Sequence, residues 1–141
     1  NYRTPSEIMA IAAAVLAEFA PDVTPPESVR SCGVAPWSRH VAGDGEMASA
    51  VEEFVSGEEK LEGTSVVIGP PGTPGAVTPA ETKGLEYDAV LVVHPEKIMA
   101  DGPRGAADLY VALTRATQRL GVLHTAPLPD ALRGLSERRG D

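Results

Sequence analysis

The chain has 141 residues, 43% of them hydrophobic and 4% aromatic, which is enough for one buried core and too little for two. Its 12 basic and 20 acidic residues give a formal net charge of -8, and that balance argues against tight binding of the isolated chain to a phosphate backbone. The single Cys32 excludes an internal disulfide, no Cys/His cluster has metal-ligand spacing, and no stretch approaches the roughly 18 apolar residues of a membrane span, so a reducing, cytoplasmic setting is expected.

The elements follow in chain order from periodicity. Thr4-Pro5-Ser6-Glu7 supplies an N-cap, a proline at the first helical position and a glutamate spaced to close a capping box. Ile8, Ile11, Ala12, Val15, Leu16 and Phe19 then recur at helical spacing until Pro21 stops the run. From Asp22 to Asp44 the chain is rich in Pro, Ser and Gly, with short strands expected near Val29 and His40. Met47, Val51, Phe54 and Val55 predict a second helix ending near Gly57. Residues 64–68 and 89–93 read as buried strands, being short, β-branched and bounded by turn formers. Residues 106–118 read as a helix, 120–124 as a strand and 129–135 as a short closing helix. Strands alternating with helices predict an α/β fold with a parallel sheet covered on both faces.

The stretch Gly69-Pro70-Pro71-Gly72-Thr73-Pro74-Gly75 follows a strand and begins like a phosphate-binding loop. Pro74 and Gly75 stand where that loop would lead to its Lys and Ser/Thr, and proline removes the backbone donors that cradle phosphate, so a surface connection is expected. The chain contains no Gly-x-x-x-x-Gly-Lys-Ser/Thr run and no apolar strand ending in paired acids that would hold magnesium.

Three ordered strings carry the chemistry. Asn1-Tyr2-Arg3-Thr4-Pro5 opens the chain; Lys83-Gly84-Leu85-Glu86-Tyr87 runs into Val90-Leu91-Val92-Val93; Tyr110-Val111-Ala112-Leu113-Thr114-Arg115-Ala116 follows. In that order they resemble motifs IV, V and VI of the UvrD/Rep-like superfamily 1 helicases, where they belong to the second of two RecA-like domains. The resemblance implies a single C-terminal RecA-like domain spanning residues 1–141, a phosphate-loop NTPase-like fold without its own phosphate loop, cut from a larger protein. It implies ATP hydrolysis with Mg2+ in a cleft shared with an N-terminal RecA-like domain, which would own the lysine, the magnesium ligand and the water-activating acid.

Within that resemblance each residue has a chemical reason. Phosphoryl transfer builds negative charge that a planar guanidinium neutralises through multidentate hydrogen bonds. Arg115 is the expected arginine finger, lying off the centre of the face defined by Leu109, Ala112, Leu113, Ala116 and Leu120 on the expected helix. Arg3 would be a second cation on the same phosphate, and Tyr2 a flat face for adenine. Gly84 permits a tight or left-handed turn, and Glu86 would contact the ribose. Leu85 and Tyr87 are expected to serve core and turn packing. Arg119, one turn after Arg115, is a second arginine candidate.

Two departures bear on nucleic acid. Where these helicases often carry a strand-contacting histidine, three residues before the motif V lysine, this chain has Ala80; Thr78 and Thr82 are the remaining candidates for a contact with single-stranded DNA. Only residues 20–77 separate motifs IV and V, with no room for the large accessory domain of the strand-separating enzymes. In this the chain is closer to the bacterial helicase-like ATPases that act on RNA polymerase, and a non-catalytic domain that binds such a protein is the competing expectation. Arg133, Arg138 and Arg139, mixed with Glu137 and Asp141, read as a solvated tail. His94 and His124 close strands, where packing and ligand contact are both open readings, and Trp37 is either an anchor for the proline-rich segment or a partner contact.

Overall fold

The computed structural model describes residues 4–24, 35–100, 102 and 104–137. The expected strand near Val29, together with Tyr2 and Arg3, lies outside them. Five strands, β1 (Trp37–His40), β2 (Ser65–Ile68), β3 (Tyr87–Val93), β4 (Ala116–His124) and β5 (Ser136–Glu137), form one sheet in the order β2-β3-β4-β1-β5. Every neighbouring pair is parallel, as the alternation of strands and helices requires.

β3 is the middle of the core because its sequence is apolar on both faces: Ala89, Val90, Leu91, Val92 and Val93 are all fully buried. Val90 and Val92 face a cluster built with α1 (Ser6–Phe19), α3 (Pro95–Ala100) and α4 (Gly105–Leu113), including Ile8, Val15, Ile98, Leu109 and Leu113. Leu91 and Val93 face α2 (Asp44–Glu59) through Met47 and Ala50. Trp37 lies on this second side. A Cβ at Gly121, its register partner on β4, would collide with the indole ring, so Trp37 is a packing anchor of the sheet.

Three boundaries differ from the pattern reading, each for a local reason. The helix expected over 106–118 stops at Leu113, and β4 starts at Ala116. Ala116 and Leu120 suit a helical period and a strand period equally, so periodicity alone could not place the break. The Thr114 hydroxyl decides it by bonding back to the carbonyls of Tyr110 (2.9 Å) and Val111 (3.1 Å). The closing helix is a single 3-10 turn, Asp130–Leu132, followed by β5. At the start of α1 the cap is Pro5, and the Thr4 hydroxyl donates instead to the Thr114 carbonyl at 3.3 Å. The 3-10 turn Pro79–Thr82 and the helix α3 had no periodic signal, being shorter than two turns.

Candidate functional site

Parallel pairing of β3 and β4, with Tyr87 opposite Ala116, makes neighbours of the segments that precede them. Gly84–Glu86 and Thr114–Arg115 therefore meet at the amino edge of the sheet. The Tyr87 N–H donates to the Arg115 carbonyl at 2.9 Å. The Arg115 side chain is tied down from three sides: Nε donates to the Val111 carbonyl (3.0 Å), Nη1 to the Leu85 carbonyl (3.2 Å) and Nη2 to the Thr114 hydroxyl (3.2 Å). Arg115 thus stands in a two-residue turn and not on a helix, which corrects the expected placement while leaving it partly exposed.

Thr4 reaches the same corner through its bond to the Thr114 carbonyl. The end of the first string, the turn of the second and the turn of the third are in direct contact. Burial pushes the Tyr110 phenol above its ordinary pKa, against the smaller pull of the nearby Arg115 charge.

Gly84 has φ 81, a left-handed backbone, and a Cβ there would meet nothing. Its role is conformational: it turns the chain so that the next carbonyl, of Leu85, accepts from Arg115. The Leu85 side chain is 48% exposed, contrary to the packing role expected for it, because the turn commits its carbonyl inwards and its side chain outwards. Tyr87 does pack against the core, and Glu86 is at the surface. Thr82 is fully buried, its hydroxyl donating to the Pro79 carbonyl at 2.7 Å. Thr78 closes the same 3-10 turn, with its N–H and hydroxyl both directed at the Glu81 carboxylate. Local turn chemistry engages both threonines.

Arg119 is held elsewhere. Its guanidinium makes a bidentate pair with Glu58 of α2, at 2.7 and 3.2 Å, on the flank of the sheet. The sequence offered two arginines one turn apart; the break after Leu113 sends them to different surfaces.

The carboxyl edge has a different character. All three histidines stand there, at the ends of β1, β3 and β4 or just beyond. His40 and His124 are register partners, their rings 5.4 Å apart and both bonded to carbonyls of the turn after β4, His40 to Thr125 and His124 to Ala126. Among the described residues no group of three or more His, Cys, Asp or Glu could hold a metal ion, and no helix is long and apolar enough to cross a membrane.

This order of strands and helices has counterparts in known proteins. The structure superposes on the C-terminal domain of a possible DNA helicase from Lactobacillus plantarum WCFS1 with a TM-score of 0.70 at 17% identity, over 100% of this chain and 99% of that one. At that identity the likeness shows the shared RecA-like α/β fold. No curated protein is detectably similar in sequence. Residues 39–124 match the family described as the viral superfamily 1 RNA helicase core domain, a span that covers more than half of the chain and runs from the second half of β1 to the end of β4, with both turns of the amino edge. The chain belongs to this superfamily 1 helicase core family.

Proposed function

We propose that the chain is the C-terminal motor half of an ATP-driven helicase or translocase of the UvrD/Rep-like kind, with Arg115 as its arginine finger. The observation that carries this reading is the donor count on the guanidinium. Of the five N–H donors of an arginine, three are spent on Val111, Leu85 and Thr114. These bonds fix the plane of the group, and the two N–H donors left over suit a phosphate oxygen whose charge grows in the transition state. A finger fixed beforehand gives up little side-chain freedom when the cleft closes.

In this reading the amino edge is the face turned towards an N-terminal RecA-like domain. The residues fit half of an ATP site. Arg115 would meet the transferred phosphoryl group with Arg3 beside it, Gly84 and Glu86 would border the ribose, and Tyr2 would stack on adenine. ATP supplies the phosphoryl group, and Mg2+ and the cradle for its phosphates would be held by the other domain. The exposed Leu85, next to the guanidinium, offers an apolar contact to that domain. The DNA helicase likeness supports single-stranded DNA as the track. The charge of -8 and the inward commitment of Thr82 support the alternative, in which the same motor remodels a protein such as RNA polymerase without unwinding a duplex.

The test is Arg115→Ala in the full-length parent protein. Turnover should fall by about 10³ to 10⁵, the worth of an arginine finger, while ATP binding by calorimetry stays close to wild type. Steady-state hydrolysis within a few-fold of wild type would refute the assignment.

A further inference from the structure

On the carboxyl edge, remote from Arg115, a cavity of about 600 Å³ opens between α2 and the loop after β2. One wall is Met47, Ala48 and Val51, with Asp44 at the end of the helix; the other is the loop from Pro70 to Gly75; His94 and Lys97 form the floor. Its size is that of a pocket for one large side chain or a small organic group. Three observations mark it as more than a gap in the packing.

The first is His94, a non-glycine residue with positive φ among the described residues, at 55°. A left-handed backbone is uncommon for a residue other than glycine, and such conformations collect at binding sites. His94 lines the cavity, with its buried Nδ1 set 3.7 Å from the Glu96 carboxylate. The second is the loop. Pro70, Pro71 and Pro74 bring no N–H, and Thr73 spends its N–H and its hydroxyl on the Pro70 carbonyl at 3.2 and 2.8 Å. The loop is rich in acceptors and poor in donors. The third is charge: Asp44, Ala48 and Glu52 recur every four residues, so two exposed carboxylates flank the pocket-lining Ala48 on one helical stripe. Among the described residues Lys97 is the one Lys or Arg in the lining.

We infer that this cavity is a docking site for a basic polypeptide segment, which inserts a large apolar or aromatic side chain between α2 and the proline loop. An apolar wall takes the ring, acceptor carbonyls and the Asp44/Glu52 stripe take flanking Lys or Arg side chains, and the domain's charge of -8 favours a cationic partner at longer range. A nucleic-acid strand fits poorly. Its phosphates would meet Asp44 in the lining, Glu52 further along the same helical stripe and a loop with few donors, against Lys97.

The test uses the 141-residue chain, labelled for NMR, titrated with three probes: a Lys/Arg-rich peptide containing one tryptophan, the same peptide with its basic residues replaced by glutamate, and a 20-nucleotide single-stranded DNA. The basic peptide should shift resonances of residues 44–51, 70–75 and 94–97. Ala48→Phe, which narrows the mouth from an exposed helix position, and the double variant Asp44→Lys, Glu52→Lys should each weaken that binding about tenfold or more, a loss of roughly 1.4 kcal/mol, with unchanged dispersion elsewhere in the spectrum. The inference is overturned by any of three results: shifts in these residues produced by the oligonucleotide in preference to the peptide, equal binding of the acidic peptide, or no perturbation by the basic peptide at millimolar concentration.

Discussion

The two edges of the same sheet have been finished in opposite ways. At the amino edge the backbone carbonyls of Val111 and Leu85 and the hydroxyl of Thr114 converge on one guanidinium, so the turn chemistry serves to aim a positive charge. At the carboxyl edge, where open parallel sheets usually receive ligands, the loop after β2 has lost donors to three prolines and looks across an apolar gap at an acidic helix. A domain that owned its nucleotide would present phosphate-binding amides at that edge. This one holds a partly exposed guanidinium at the other, and under the function proposed above that is what a half-site requires: the charge would face a partner domain and not the domain's own cradle.

That contrast can be sharpened by dissecting the amino edge. Beyond Arg115→Ala, the next largest effect is expected for Thr114, which accepts from Nη2 and donates back to the preceding helical carbonyls. Thr114→Val keeps the shape and removes the hydroxyl. A finger released by about 1 Å loses about 10²-fold in turnover, and Thr114→Ser should restore most of it. In the proposed arrangement Thr114 would be a positioning residue, acting through Arg115. A steady-state ATPase series on the parent protein checks this, and equal activity of the Val and Ser variants would remove Thr114 from the arrangement.

How much of this was legible beforehand depended on the length scale of the signal. β3 announced itself because five consecutive apolar residues buried on both faces leave little choice, and α1 because its period runs for 14 residues. The break between α4 and β4 is illegible because Ala116 and Leu120 satisfy both periods, and what marks it is hydrogen bonding: the Thr114 hydroxyl turns back on the carbonyls of Tyr110 and Val111, and the Tyr87 N–H pairs with the Arg115 carbonyl. Arg115, Gly84 and Glu86 were read from their strings, yet what orients Arg115 is a carbonyl 30 residues away in sequence and a hydroxyl next door, and backbone acceptors leave no mark in a sequence. The positive φ of His94 is similarly silent, since Pro95 after a strand suggests only a turn.

The comparison of the two arginines is expected to show up in stability. Arg119 and Glu58 tie β4 to α2 through a bidentate pair that is only partly shielded, with side chains 31% and 13% exposed. Arg119→Ala should therefore lower the unfolding free energy by about 1 to 3 kcal/mol, the range for hydrogen bonds to charged groups and the penalty for the acceptor left behind. Turnover per folded molecule should stay within a few-fold of wild type. Urea denaturation of the domain and ATPase assays of the parent separate the two outcomes; a loss of turnover as large as that of Arg115→Ala, with unchanged stability, would exchange the roles assigned to the two arginines.

The smallest expected effect is at Gly84 and tests the turn itself. Its φ of 81 lies in the left-handed region, while a Cβ there would have open space, so steric collision with neighbours is excluded as a cost. What remains is the intrinsic penalty of a left-handed L-residue, about 1 to 2 kcal/mol for alanine. Asparagine, whose short side chain tolerates this conformation better, should cost less. The ordering Gly84, then Asn, then Ala in urea midpoint is the signature of a purely conformational requirement. Because the next carbonyl, of Leu85, holds the Arg115 Nη1, the same ordering should reappear in ATPase turnover, attenuated for Asn. Should Ala and Asn cost the same stability, the left-handed turn would not be what Gly84 supplies. Should stability follow the order while turnover ignores it, the Leu85 carbonyl would be dispensable for aiming the guanidinium, and the contacts with Val111 and Thr114 would have to suffice.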